Sequence, residues 1–210
     1  MKTHLLSTTP PTIEPVTVDE YKTWARISTT TEDNTIADLI TGVRQGVEDY
    51  LRKSLITQSW KLTIDLMGGY EDQFGDGVWD LPVTVLTEAL PKSIRLPMGP
   101  VSSITSFTSY NTSNTSAVFS SSYYYLNSDR LILNDTASWP TSLRPMGAVE
   151  IIYASGYGAT ADTVPMGIRN AIKMATQSLY EARGMCSTGD DLPDKAKSAL
   201  MPYRDMVGML

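Results

Sequence analysis

The sequence has very few of the side chains on which catalytic and metal sites most often depend. Its 210 residues include one cysteine, Cys186, and one histidine, His4. One cysteine cannot form a disulfide within the chain, and a reducing compartment is the simpler expectation. The sequence has too few cysteines and histidines to supply the ligands of a zinc site. A catalytic pair of a nucleophile and a histidine could use only His4, which lies in a stretch that we expect to be loosely ordered. The sequence therefore predicts no catalytic residue, no cofactor, no metal site and no enzyme activity.

Long apolar runs are also missing. No stretch approaches the ~18 apolar residues of a membrane span, and the first residues are too weakly apolar for a signal peptide, so we expect no membrane partner. The net charge of −6 has the wrong sign for a general DNA-binding surface, because neutralisation of phosphates supplies most non-specific affinity. DNA could pass such a surface without being held. With 41% hydrophobic and 19% charged residues, the composition is that of a folded globular protein.

A glycine motif superficially resembles a dinucleotide-binding fingerprint. Gly156, Gly158 and Ala161 follow a strand-like run and precede a helix. In that fingerprint the helix begins inside the glycine turn, so that its N-terminus meets the pyrophosphate. Here Pro165 places the start of the helix several residues too late. Ordinary turn glycines are the better interpretation.

An acidic stretch invites a calcium interpretation. Asp72, Asp76 and Asp80 lie close together, but Phe74 occupies a ligand position and Val83 stands where the closing glutamate should be. The sequence favours a solvated acidic loop. It belongs to a long excursion over 68–93 that is rich in Gly, Asp and Pro.

Helical spacing of apolar residues occurs near both ends of the chain. Thr17 and Glu20 have the spacing of a capping box, which predicts a short helix. A second helix begins near Asp33 and keeps the helical period for about five turns. Pro165 opens a third helix. Its apolar stripe consists of Ile168, Ile172, Ala175, Leu179 and Ala182.

Between the helices the apolar period changes to two, which predicts strands. Ile104 and Phe107 are three apart, so we expect a bulge in that strand. We predict an α+β fold, in which two N-terminal helices and one long C-terminal helix form a platform for an inserted antiparallel β domain, with a C-terminal docking tail. The predicted parts are an arm at 1–16, a helical domain at 17–54 and 164–184, the β domain at 55–163, and a linker and docking segment at 185–210.

Two features indicate contacts with other chains. Gly42 and Gly46, with Val43 between them, are small-residue positions where a second subunit or helix could cross the second helix closely; simple tolerance of glycine is the alternative. The segment 193–210 carries an apolar stripe behind a flexible linker, so we expect it to dock on a partner, like a helix in a groove. Packing on its own domain is the alternative.

Several segments together resemble tailed-phage head–tail connector proteins of the gp6-like and phiE125 gp8-like kind. The clearest is LITQSWKLT at 55–63, and YASGYG at 153–158 is similar. The other matching segments are 18–20 with the second helix, 94–104, 164–181 and 199–204. The resemblance covers roughly 17–207, and the 68–93 excursion is longer than usual in that family.

The resemblance implies an adaptor, or head-completion protein. Such proteins form a ring, typically of twelve copies, beneath the portal protein in the neck of the virion. The ring extends the DNA channel, through which double-stranded DNA passes without sequence-specific binding, and it offers a platform to a stopper or tail-completion protein. The resemblance implies no catalysis, and it implies assembly in the host cytoplasm.

Combined with the terminal stripe, the resemblance suggests where the portal protein binds. The predicted portal-binding residues are Leu200, Pro202, Tyr203, Arg204 and Val207. A different class of function is a virion module whose β domain binds a carbohydrate or a protein. Its candidate residues are Trp79, Tyr123, Tyr124 and Tyr125.

Overall fold

A computed structural model of the protein describes residues 2–66, 90–182 and 192–205. The predicted α+β class is confirmed within these ranges. The helices are α1 (Val18–Ala25), α2 (Asp33–Leu51), α3 (Met166–Glu181) and α4 (Asp194–Leu200), with short 3₁₀ turns at Ser121–Tyr123, Ala161–Thr163 and Met201–Tyr203. The strands are β1 (Lys2–Thr9), β2 (Gln58–Asp65), β3 (Ser93–Arg95), β4 (Val101–Tyr110), β5 (Ser116–Val118), β6 (Tyr124–Asn127), β7 (Arg130–Leu133) and β8 (Val149–Ser155).

The described chain forms two compact units. The β unit contains the described residues of Met1–Pro10, Gln58–Pro97 and Val101–Ser155, and the helical unit contains those of Pro11–Thr57, Met98–Pro100 and Gly156–Leu210. Each unit has a hydrophobic core of its own. The predicted excursion at 68–93 and the linker at 185–191 lie largely outside the described residues.

The β unit is built on an antiparallel sheet in the order β1-β2-β8-β4-β5, with a second sheet in the order β3-β7-β6. Along β8, buried and half-buried residues alternate strictly, which places Ile151 and Tyr153 in the core. The register between β4 and β8 shifts between Ile104 and Ser106, which confirms the predicted bulge. A second shift lies between Val101 and Ser103. Such bulges are frequent near sheet edges.

The first strand differs from the sequence-based expectation. The arm expected at 1–16 is not loosely ordered over residues 2–9, because β1 pairs with β2 from Lys2 to Thr9, with a register shift between Ser7 and Thr9. His4 is therefore fixed in a strand, where its Nε2 lies 3.2 Å from Oδ2 of Asp65.

The helical unit begins with the predicted cap. The Thr17 hydroxyl accepts a hydrogen bond from the backbone N–H of Glu20 at 3.1 Å, so one of the free donors of α1 is satisfied. Along α2, the side chains of Ile36, Ile40, Val43 and Val47 are buried at the helical period. They pack in one core with the inner face of α3 and with α4.

The terminal segment packs within the helical unit. Ala196 and Leu200 of α4 are fully buried, and α4 contacts α3. The expectation that the segment 193–210 docks on a partner is therefore wrong for Ala196 and Leu200, which pack on their own domain. Burial of these apolar side chains stabilises the helical unit instead.

Candidate docking surfaces

The last described residues form an exposed apolar surface at one end of the helical unit. Met201, Pro202 and Arg204 are exposed, and Tyr203 is half-buried. Tyr203 lies against the first turn of α3, because its Oη would be 2.6 Å from a Cβ added to Gly167. The neighbouring Met166 is 57% exposed, as is Met201. We call Met166 and residues 201–204 the terminal surface.

Two contacts hold the terminal surface against the end of α2. The backbone N–H of Asp205 donates to the carbonyl of Leu51 at 3.1 Å, which satisfies one of the free acceptors at that helix end. The guanidinium of Arg204 lies 4.8 Å from the centre of the Tyr50 ring, a cation–π geometry. The surface is therefore placed by backbone and side-chain contacts of the helical unit itself.

The predicted portal-binding residues do not all lie on this surface. Pro202, Tyr203 and Arg204 do, whereas Leu200 is fully buried in the core of the helical unit. Val207 lies outside the described residues. Sequence reasoning missed Met201 and Met166. Met201 sits beside Pro202, so its exposure follows from the end of the helix there, and Met166 stands off the apolar stripe of α3.

The predicted subunit-contact residues separate in a similar way. Gly42 is exposed, and a Cβ added there would meet no atom within 4 Å. Gly46 faces its own chain, since a Cβ there would lie 3.8 Å from the side chain of Leu192. Val43 is a core residue. Gly42 lies in an exposed, largely polar stripe of α2, the α2 stripe, made of Thr35, Asp38, Gly42, Gln45 and Asp49.

An ion-pair cluster ties α1 to α3. The Glu20 carboxylate lies 2.6 Å from Nζ of Lys173 and 2.8 Å from Nη2 of Arg169, and both cationic side chains are at most 10% exposed. Burial raises the pKa of Glu20, but hydrogen bonds from Lys173 and Arg169 and their charges lower it by more. The pKa of Glu20 therefore lies below its ordinary value of 4.5.

Glu20→Gln is expected to destabilise the protein at neutral pH by roughly 1–3 kcal/mol, because the buried Lys173 loses its counter-charge and Arg169 keeps only the exposed Asp162, at 3.3 Å. Since the folded-state pKa is depressed, the contribution of Glu20 is complete above its ordinary value and is lost as the pH falls through the folded-state pKa. The difference between wild type and variant should then shrink in acid, as measured by urea unfolding. The control is Asp38→Asn, which changes an exposed carboxylate. If Glu20→Gln lowers the free energy of unfolding equally at neutral pH and at about pH 3, the lowered pKa of Glu20 is contradicted.

The aromatic residues of the alternative binding hypothesis do not form one exposed site in the described part of the β unit. The Tyr124 ring is half-buried and stacks on Phe119 at 6.0 Å, next to Phe107. Tyr123 and Tyr125 are half-exposed. Trp79 lies outside the described residues. Tyr124 is therefore better explained as part of the packed aromatic core than as part of a binding site.

Residues 2–66, 90–182 and 192–205 contain no group of three or more His, Cys, Asp or Glu placed to hold a metal ion. Asp72, Asp76 and Asp80 lie outside these ranges. Among the helices described, none has both the length and the apolar character needed to cross a bilayer.

The sequence of the first third of the chain matches a known family. Residues 15–74, which include α1, α2 and β2, match the family described as phage gp6-like head-tail connector protein. The resemblance inferred from the sequence is thereby confirmed for this stretch. No curated protein sequence matches the chain significantly.

Solved structures with the same fold come from gene transfer agent (GTA) particles. A chain in the neck of the empty GTA particle, computed with C6 symmetry, is 19% identical, with a TM-score of 0.68 over 97% of this chain and 95% of that one. A chain in the neck of the native GTA particle, computed with C12 symmetry, is 18% identical, with a TM-score of 0.66 over the same shares. A chain in the virion of the native GTA particle is also 18% identical, with a TM-score of 0.67 over 95% of this chain and 94% of that one. Both units of the present chain thus belong to one shared fold.

Proposed function

We propose that this protein, whose residues 15–74 match the gp6-like head–tail connector family, is the adaptor or head-completion protein of a tailed-phage-like particle. The observation that carries the proposal is the fold, which agrees over nearly its full length with proteins in the necks of GTA particles. The protein forms a ring beneath the portal, extends the DNA channel, and supports a stopper or tail-completion protein. This role is structural and requires no catalysis.

Twelve copies are the proposed ring size. One of the similar neck structures was computed with C12 symmetry, and closed cyclic rings need a heterologous interface in which two different surfaces of one chain meet. The α2 stripe is one suitable surface, because Gly42 leaves room for a neighbouring backbone to approach closely. Its Asp38 and Asp49 add to the net charge of −6, which suits a ring that DNA traverses without being held.

Gly42→Gln tests the role of the α2 stripe. The added side chain points into open space in the isolated chain, so folding should be unaffected, whereas a close subunit contact would be blocked. Ring formation on portal-bearing heads should fall at least about tenfold, as counted by electron microscopy. Thr23→Gln on the exposed side of α1 is the matched control. If Gly42→Gln forms rings as efficiently as the wild type, the α2 stripe is not part of the subunit interface.

The terminal surface is the proposed contact with the portal protein. Exposed methionine and proline side chains, with the half-buried Tyr203, give an apolar anchor on a fixed backbone, and Arg204 gives a polar partner at its rim. Deletion of 193–210 would be a poor test, because it would also remove Leu200 from the core. Single substitutions of exposed residues separate binding from folding.

Met201→Glu is expected to weaken attachment to portal-bearing heads at least about tenfold, because a charge would be buried at the contact. The matched control is Met146→Glu, since Met146 is a 68% exposed methionine of the β unit. Both variants should unfold at the wild-type urea concentration. Co-sedimentation with purified heads measures attachment, and equal attachment of the two variants would contradict the portal assignment.

A further inference from the structure

Strand β1 is held by backbone pairing rather than by a core. It pairs with β2 from Lys2 opposite Asp65 to Thr9 opposite Ser59. All eight of its residues are exposed, including Leu6 at 58%. Because these side chains are exposed, little apolar burial opposes detachment of the strand, which is held mainly by hydrogen bonds of about 0.5–1.5 kcal/mol each.

The edge of β2 nevertheless recognises this particular strand. The Thr8 hydroxyl donates to the carbonyl of Ser59 at 3.0 Å, and His4 meets Asp65. The Asp65 side chain is 7% exposed and is held independently of β1, because its Oδ1 accepts a hydrogen bond from the Gly147 N–H at 2.6 Å. The edge therefore keeps its recognition groups when β1 leaves, and β1 is the occupant that they fit.

The connection after β1 is short and bends at Thr12 and Ile13. Residues 10–13 include Pro10 and Pro11 and are largely exposed. The chain is then fixed in the helical unit, where the Glu14 carboxylate lies 2.8 Å from Nε of Arg44. The adjacent prolines favour an extended backbone at the start of this connection. Four residues span at most about 14 Å, so the length of this connection limits how far β1 could reach toward the β2 edge of a neighbouring copy.

We propose that β1 is exchanged between neighbouring copies in the ring, so that β1 of each copy occupies the β2 edge of the next. This inference rests on the ring proposed above. Exchange preserves every β1–β2 contact. In a ring the neighbouring copies are held close together, so the high effective concentration of β1 lowers the entropy cost of pairing with the next copy. Because the donor strand and the acceptor edge are different surfaces of one chain, the exchange is heterologous and closes with the ring.

A cysteine cross-link distinguishes the two arrangements. Leu6 lies opposite Lys61 in the β1–β2 register, so Leu6→Cys and Lys61→Cys are introduced together with Cys186→Ser. After oxidation of rings assembled on heads, non-reducing denaturing electrophoresis should show a ladder of covalent multimers. A product that migrates only as a cross-linked monomer, or no cross-link at all, would overturn the exchange.

The matched control places the second cysteine in the body of the same sheet. Lys61 also lies opposite Ile152 of β8, so Lys61→Cys with Ile152→Cys should give a monomeric product under the same conditions. Electron microscopy of the uncross-linked sample reports ring formation separately. Rings with only internal cross-links would refute the exchange and leave the proposed function intact, whereas heads without rings would refute both.

Discussion

Gly156→Ala is expected to lower the free energy of unfolding by at least about 3 kcal/mol. Gly156 has a φ of +140°, a region that L side chains rarely adopt. A Cβ added there would lie 2.6 Å from the carbonyl carbon of Ile56 and from the amide nitrogen of Thr57. Both are backbone atoms, which cannot rotate away as a flexible side chain could. The Gly156 N–H also donates to the Pro100 carbonyl at 2.9 Å, so a shift of the backbone would break a hydrogen bond.

Gly42→Ala is the matched control for that substitution. Gly42 lies inside α2 with open space where a Cβ would stand, and alanine stabilises an exposed helix interior by up to about 1 kcal/mol relative to glycine. The midpoint of urea unfolding should therefore fall for Gly156→Ala and rise for Gly42→Ala. A Gly156→Ala protein within about 1 kcal/mol of wild type would show that the turn can rearrange.

Leu200→Ala is expected to cost about 2–5 kcal/mol, the range for large-to-small substitutions in a packed core. Leu200 is fully buried and belongs to the core of the helical unit. Its neighbour Met201 is 57% exposed, so Met201→Ala should change stability by no more than about 0.5 kcal/mol. Urea unfolding of the pair measures the difference.

The two residues also separate folding from docking. Leu200→Ala acts on stability, whereas the Met201→Glu substitution acts on attachment to heads. Equal unfolding curves for Leu200→Ala and Met201→Ala would mean that α4 is not held in the core in solution. The terminal segment would then be free to dock elsewhere.

The long elements of the fold could be predicted from local patterns. The helical period of α2 and α3, the Thr17 cap and the bulge after Ile104 are each encoded by residues close together in sequence. Strand β1 could not be predicted in this way. Its residues show no clear alternation, and it becomes a strand because the edge of β2, at least 50 residues away in sequence, supplies its partners.

The candidate surfaces show the same limit. Gly42 and Gly46 are equivalent in sequence, and only the position of Leu192 makes one of them internal. Likewise, an apolar stripe at 196–203 is compatible with docking on a partner or on its own core, because the periodicity does not identify the surface that covers it. The structure assigns Ala196 and Leu200 to the core and leaves residues 201–204 on the surface.

The position of the protein in the particle tests the proposed function most directly. An electron-microscopy reconstruction of purified particles, calculated without imposed symmetry, should contain a ring between the portal and the tail. Twelve copies of both units should fit that ring, with the terminal surface against the portal. A reconstruction in which the neck ring does not fit this fold, or in which the protein lies elsewhere on the particle as single copies, would contradict the proposed function.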